Sequence, residues 1–255
     1  MTRDPAWPPN WPGGYALKEF ESLDSTNEEA RRLAGSGAPT PIWIRADRQT
    51  AGRGRRGRNW ESPAGNLAAT LLLRPDRPAS ECAQLSFVAA IAAAETVTRF
   101  LPAADIRVKW PNDVLADGRK IAGILLESVS GSGTVPLWLA IGIGLNLAHH
   151  PEGTEFPATS MAALGAEPPS ASDALLHLAA RFAKWYDLWR VQGFSPIRDA
   201  WLARAAKLGE RVVARLTNGE TSGVFEGIDE TGALILREAQ GRTRLIAAGE
   251  VFFGS

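Results

Sequence analysis

The chain has 255 residues, an apolar share of 45% and 28 basic residues balanced by 28 acidic ones. That length holds one large domain, or one large and one small, and the apolar share excludes a disordered chain. Balanced charge provides no global basic field for nucleic acid or an anionic membrane, and a single cysteine, Cys82, excludes an internal disulfide framework.

Residues 1–14 are rich in Pro, Trp and Gly and predict an extended arm. They lack the apolar core of a signal peptide, and no run elsewhere approaches a membrane span, so a cytoplasmic protein is expected. Cys82 reads there as a small buried hydrophobe. Tyr15 to Leu23 alternates as a strand does. Ser25-Thr26-Asn27-Glu28 has the form of a capping box, with Ser25 capping a helix and Glu28 answering three residues later. That helix runs to about Ala34 and is ended by Gly35-Ser36-Gly37.

Pro41 to Ala46 predicts a buried strand, residues 47–65 a long polar loop, and Asn66 to Leu73 a further strand. Residues 80–100 carry many alanines with apolar spacing near 3.6 and predict a core helix. Ile106 to Trp110 is a strand stopped by Pro111-Asn112. A turn at Asp117-Gly118 leads into a strand from Lys120 to Val129. Val135 to Leu147 is nearly continuous in apolar residues, as a strand buried on both faces would be. Residues 170–192 form an amphipathic helix with Leu175, Leu178, Phe182, Trp185 and Trp189 along one side, and a further helix starts at Ser195-Pro196. From Leu208 the character changes to short strands with turn signals at Asn218-Gly219, Asp229 to Gly232 and Gln240-Gly241. They predict a small antiparallel barrel or sandwich of about 45 residues. The expected division is an arm at 1–14, a main domain at 15–207 and a small domain at 208–255.

Three segments could carry chemistry. Between Arg48 and Arg58 fall five arginines and three glycines. Glycine lets backbone N–H groups turn toward an anion, and arginine supplies planar donors matched to phosphate or carboxylate. A solvated loop, a nucleic-acid patch and a site for a small phosphorylated ligand all remain open. The loop is no Walker motif, and its Gly-x-Gly-x-x-Gly spacing is followed by helix-poor sequence, so it is no dinucleotide fingerprint either. The second segment is Lys109-Trp110-Pro111-Asn112-Asp113 with Lys120 and Gly123, either a polar ligand site at a strand edge or an ordinary turn. The third is Ile141-Gly142-Ile143-Gly144-Leu145-Asn146-Leu147, where two glycines in a strand mark the approach of a ligand or of a neighbouring element. His149-His150 and His177 carry no metal-ligand spacing. Trp60, just after the basic loop, could stack on a planar base. No Gly-x-Ser-x-Gly nucleophile motif is present.

Taken in order, Asp24-Ser25-Thr26-Asn27, the segment from Gln49 to Arg58 with Trp60, Lys109 to Asp113, Lys120 to Leu125, Gly142 to Asn146 and Phe156 to Ser160 resemble the biotin protein ligases. The resemblance runs from about residue 15 to residue 253. It implies an α+β fold: a mixed sheet with helices, like the class II aminoacyl-tRNA synthetases and lipoate ligases, plus a small C-terminal SH3-like barrel. It implies ATP-dependent activation of biotin to biotinyl-AMP, then transfer to a lysine of a biotin carboxyl carrier protein, with Mg²⁺ on the ATP phosphates. Longer members begin with a helix-turn-helix repressor domain, so this chain resembles the short type, with no DNA partner; a homodimer is possible.

Residue by residue, the resemblance assigns biotin to Ser25, Thr26, Asn27, Gln49, Arg53, Gly54, Arg55, Lys120 and Gly123. It assigns ATP to Arg55, Arg56, Trp60, Asn112, Asp113, Lys120 and Asn146. Lys120, Arg55 and Asp113 are the implied catalytic residues. Arg53, Arg55 and Arg56 would face the charge where carboxylate meets phosphate, and the loop, disordered when empty, would fold over the intermediate. Lipoate or octanoate attachment on a related fold is the nearest alternative; an Arg/Gly-loop nucleic-acid-binding protein is the alternative of another class.

Overall fold

The computed structural model describes residues 2–3, 10–130, 133–217 and 219–253. Residues 4–9 of the expected arm and Asn218 of the first expected barrel turn lie outside the described residues.

The main sheet has eight strands: β1 (Thr2–Arg3), β2 (Ala16–Leu23), β3 (Ile42–Gln49), β4 (Leu67–Leu73), β5 (Ile106–Lys109), β6 (Asp113–Ala116), β7 (Arg119–Ser130) and β8 (Pro136–Leu145). Their order is β1-β2-β3-β4-β8-β7-β6-β5, with β2 and β3 parallel and every other neighbour antiparallel. Helix α1 (Thr26–Gly35) closes the β2–β3 crossover. It packs Ala30 and Leu33 on Ile42, Ile44, Leu72 and Ala140. The opposite face is covered by α2 (Ala79–Cys82), α3 (Leu85–Phe100), α4 (Ala171–Gln192) and α5 (Ser195–Leu202). The alanines of α3 let it lie close between the sheet and α4, and eleven of its residues are buried. Trp43 meets Phe182 of α4 edge-on.

The second layer of the molecule is a five-stranded antiparallel sheet: β9 (Arg211–Leu216), β10 (Gly219–Ile228), β11 (Leu234–Arg237), β12 (Thr243–Ile246) and β13 (Glu250–Phe253), in the order β12-β11-β10-β9-β13. Strand-only sequence with turn signals thus becomes the small β domain it predicts. The Asp229 to Gly232 turn forms its joint to the main domain. Asp229 Oδ1 accepts from the N–H groups of Thr231 and Ala233, and the Gly232 carbonyl accepts from Trp110 Nε1. Gly232 sits at φ 88°, and a Cβ there would strike the Phe87 ring.

Several local expectations change. Ser25 stands at the N-cap of α1 but its side chain makes no capping bond, and Glu28 turns to Arg31 and Arg53 instead of back to the cap. The Asp24 carboxylate takes the Ser25 N–H at 2.7 Å and pairs with Arg32, so a charge one residue earlier fills the Glu28 half of the box. The expected 80–100 helix is two helices, and Gln84 at the break receives the Trp189 indole N–H. Asp113–Ala116, left unassigned in the sequence, is a strand paired with β5. β3 continues to Gln49, where β2 still pairs with it. In β8, Leu137 is 56% exposed, so the strand is not buried on both faces throughout.

Candidate active site

A cleft of about 280 Å³ opens where α1 begins, where β3 ends and along the centre of β7 and β8. The Arg/Gly loop lies across it. The loop is tied by paired backbone at Arg53 and Asn59 and by a short 3-10 turn at Arg55–Gly57.

One end of the cleft is uncharged and buried. Thr26 gives its backbone N–H to Gln49 Oε1 at 2.8 Å, and its hydroxyl lies 3.1 Å from the same oxygen. Thr70 Oγ1, on β4 behind them, is 2.7 Å from Thr26 Oγ1 and 2.6 Å from Asn27 Oδ1. Asn27 Nδ2 donates to Glu127 at 2.7 Å. The two glycines of β8 answer the question their spacing raises. Asn27 Oδ1 occupies the space a Cβ on Gly142 would need, and the Trp60 indole occupies that of Gly144. Both glycines therefore admit side chains of the protein itself. Gly123, on β7, admits Trp60 and Lys120 in the same way.

The other end holds charge. Asp113 is buried, with Lys120 Nζ 2.6 Å from Oδ1 and Lys109 Nζ 3.4 Å from Oδ2. Burial pushes the Asp113 carboxyl up, but the two ammonium groups outweigh it and hold it below the usual carboxylate range. Burial draws Lys109 down, against the pull of Asp113. Its ammonium lies 4.1 Å from the Phe156 ring centroid and 5.7 Å from that of Phe252, a β13 residue. Burial likewise lowers Arg55, whose Nη1 reaches Asn112 Oδ1 at 3.4 Å and the Gly249 carbonyl at 3.3 Å. Arg58 pairs with Glu250 at 2.7 Å. The small domain therefore braces the loop at two arginines. Asn112 Nδ2 donates to the Ile124 carbonyl, and Asn146 Nδ2 to that of Thr159. Asn146 Oδ1, buried in the cleft wall, has no hydrogen-bond partner among the described residues.

Of the sequence-predicted residues, Ser25, Thr26, Asn27, Gln49, Arg53, Gly54, Arg55, Trp60, Asn112, Asp113, Lys120, Gly123 and Asn146 all line this cleft. Arg56 does not. It takes a left-handed conformation, φ 56°, that leaves it exposed to solvent. Arg53 lines the uncharged end and spends its guanidinium on Glu28, with Glu127 at 3.7 Å, so it does not join the charged end as expected. Sequence reasoning missed Thr70, Glu127, Arg58, Phe156, Glu250 and Phe252, and gave Lys109 no role. For Glu250 and Phe252 no local signal exists, since a separate domain delivers them. Phe156 does carry a signal, since it opens the Phe156–Ser160 segment of the family resemblance.

The sequence model of the biotin/lipoate A/B protein ligase family matches residues 19–146, and that of the biotin protein ligase C terminal domain matches residues 207–254. A biotin–[acetyl-CoA-carboxylase] ligase of Paracoccus denitrificans is 52% identical over 91% of this chain and 98% of its own length.

The chain belongs to the biotin protein ligase family.

The bifunctional ligase/repressor BirA of Bacillus subtilis is 36% identical over 92% of this chain and 73% of its own length. Among solved structures, the biotin protein ligase of Aquifex aeolicus in complex with biotin and ATP superposes with a TM-score of 0.80 at 28% identity, covering 93% of this chain and 97% of that one. The strand order and the two-domain arrangement described above are thus those of a biotin protein ligase, the small sheet being its C-terminal domain. Among the described residues, no helix is long and apolar enough to cross a membrane.

Proposed function

We propose that the chain activates biotin with ATP in this cleft and passes the biotinyl group to one lysine of a biotin carboxyl carrier protein. The biotin carboxylate attacks the α-phosphate of MgATP, giving biotinyl-AMP and pyrophosphate. The acceptor amine then attacks the acyl carbon, the bond from that carbon to the phosphate oxygen breaks, and AMP leaves. The observation that carries this reading is the division of one cleft, with uncharged hydrogen-bonding groups at one end, cations at the other and Ala69, Leu125 and Ile143 between. A ureido ring, an apolar tail and a carboxylate need that sequence of surroundings.

Ser25, Thr26, Asn27 and Gln49 take the ring, Gly54 lets the loop backbone come close, and Gly123 makes room for Trp60 and Lys120 beside the ligand. Arg53 binds by closing the loop over that end. Lys120 sits between carboxylate and α-phosphate and stabilises the charge that builds there in both steps. Arg55 holds the adenylate, and Asp113 keeps Lys120 aimed and orients the incoming amine. Trp60 lies against the adenine, with Asn112 and the free Asn146 Oδ1 serving the adenylate. Mg²⁺ arrives with ATP as part of the substrate; among the described residues no group of three or more His, Cys, Asp or Glu could hold a metal ion. The catalytic domain is 15–207 and the SH3-like domain 208–255. No DNA partner is proposed. Among the described residues the edge of β7 beyond Ile124 has no strand partner, which permits a homodimer that sedimentation would reveal. The single buried cysteine, Cys82, suits the cytoplasm.

The test is incubation with MgATP, an apo carrier domain and one acid at a time. The expected outcome is a mass gain of one biotin. A gain with lipoate or octanoate and none with biotin would overturn the reading.

A further inference from the structure

Two residues that do not line the cleft control the groups that do. Glu127 Oε2 lies 2.7 Å from the Asn27 amide, and Thr70 Oγ1 lies 2.6 Å from its other side. A carboxylate accepts and never donates. The amide nitrogen must therefore face Glu127, and Oδ1 must face Thr70. Thr70 has one proton, and Asn27 Oδ1 takes it. The Thr70 oxygen, 2.7 Å from Thr26 Oγ1, is left to accept. Thr26 must then donate to Thr70. If its proton went to Gln49 Oε1 instead, two oxygens would face each other at 2.7 Å with none between them; donation to Thr70 leaves only the longer 3.1 Å contact with Gln49 Oε1 without a proton, the lesser repulsion. Gln49 Oε1 is already served by the Thr26 backbone N–H.

Every donor in this chain thus points toward one carboxylate: Thr26 to Thr70 to Asn27 to Glu127. Its far end, Thr26 Oγ1, keeps only lone pairs for the cleft. A flipped Asn27 amide would set its carbonyl oxygen against the Glu127 carboxylate, so the partners hold it as it is. Thr26, Asn27 and Thr70 are each at most 5% exposed, so no water resets the order from within.

We infer that Glu127 and Thr70 are positioning residues for substrate choice, fixing the polarity of a hydrogen-bond relay so that Thr26 Oγ1 accepts, and so demands an N–H on the ring it meets. A ureido ring supplies that N–H, and the inference rests on the reading that biotin's ring binds at this end.

The test measures KM for biotin and kcat in ATP–pyrophosphate exchange. Glu127→Ala is expected to raise KM about tenfold with kcat nearly unchanged, because a buried acceptor loses its assured orientation. Glu127→Gln is expected to restore most of the affinity, since its amide oxygen can accept the same Asn27 N–H. Thr70→Val, nearly isosteric, breaks the relay in the middle and is expected to match Glu127→Ala, which keeps the test alive if that variant folds poorly. Unchanged KM in Glu127→Ala and Thr70→Val, beside a raised KM in Thr26→Val, overturns the relay and leaves the ring reading standing. Glu127→Gln behaving like Glu127→Ala also overturns it, because the effect then runs through the charge opposite Arg53. Unchanged KM in Thr26→Val overturns the ring reading and the relay with it.

Discussion

The two ends of the cleft are built on opposite plans. The ring end takes Ser25, Thr26 and Asn27 from the first turn of α1 and Gln49 from the end of β3, with Thr70 and Glu127 behind them. Apart from Arg53, which is paired with Glu28, the groups that line it are neutral, and they satisfy one another. The charged end gathers Arg55 from the loop, Lys109 and Asp113 from the β5–β6 hairpin, Lys120 from β7 and Glu250 and Phe252 from the second domain. Its cations exceed its buried carboxylates, so it is incomplete without an anion. Neutral networks select by leaving groups unpaired, whereas surplus charge stabilises what forms during reaction. The first should govern which acid binds, and the second how fast it reacts.

The sharpest way to break that division is Lys120→Ala. Loss of the ammonium beside Asp113 should lower kcat for biotin-dependent pyrophosphate exchange by about 10²–10³, in a variant that still unfolds cooperatively but at a lower temperature, because the buried Asp113 keeps only Lys109. Near wild-type exchange in a folded variant would remove Lys120 from the charged end. Next is Arg55→Gly, which deletes a buried guanidinium that also reaches the second domain at Gly249. A charged hydrogen bond of ordinary strength predicts release of biotinyl-AMP about 10–100 times faster, seen as labelling of bystander amines. Retention unchanged from wild type would count against it. A smaller effect tests the seat of Trp60. Gly144→Ala puts a Cβ where the indole lies, and overpacking of this kind should weaken ATP by about tenfold and biotin less, measured by calorimetry.

The smallest effect concerns pH. Arg32 and the Ser25 N–H hold the Asp24 carboxyl at about 2, below its usual value of 3.8. A depressed folded-state value means stabilisation that is full above the unfolded value and fades as pH falls toward about 2. Asp24 and Arg32 are nearly half exposed, so the contribution is below about 1 kcal/mol. Wild type should unfold at a slightly higher temperature than Asp24→Asn at pH 6, and the gap should close near pH 2. A gap that persists there would mean that the charge is not what ties down the start of α1.

How much of each end could be read from the sequence follows from the same contrast. The ring end was legible because it is local: Thr26 and Asn27 sit together at a helix start, and Gln49 stands at a strand end beside a glycine-rich loop. Even so, the capping box failed, because Asp24 takes the Ser25 N–H that Glu28 would have taken, and Arg53 claims Glu28. The strands and most helices followed from apolar period, while the four residues of the Asp113–Ala116 strand are too few to show one. The charged end was half legible. Lys120 and Asp113 stood in quoted segments, but nothing near Glu250 or Phe252 announces that a β-domain folds back over Lys109. Counting arginines also misleads, since geometry sends Arg53 to Glu28, Arg56 to solvent and Arg58 to Glu250.

The division between the ends can be tested in one assay. Biotin KM and kcat for ATP–pyrophosphate exchange would be measured on Thr26→Val and Lys120→Ala side by side. The expected result is a raised KM with kept kcat for the first and a collapsed kcat for the second. A kcat loss in Thr26→Val equal to that in Lys120→Ala, with no change in its biotin KM, would contradict the assignment of recognition to one end and chemistry to the other.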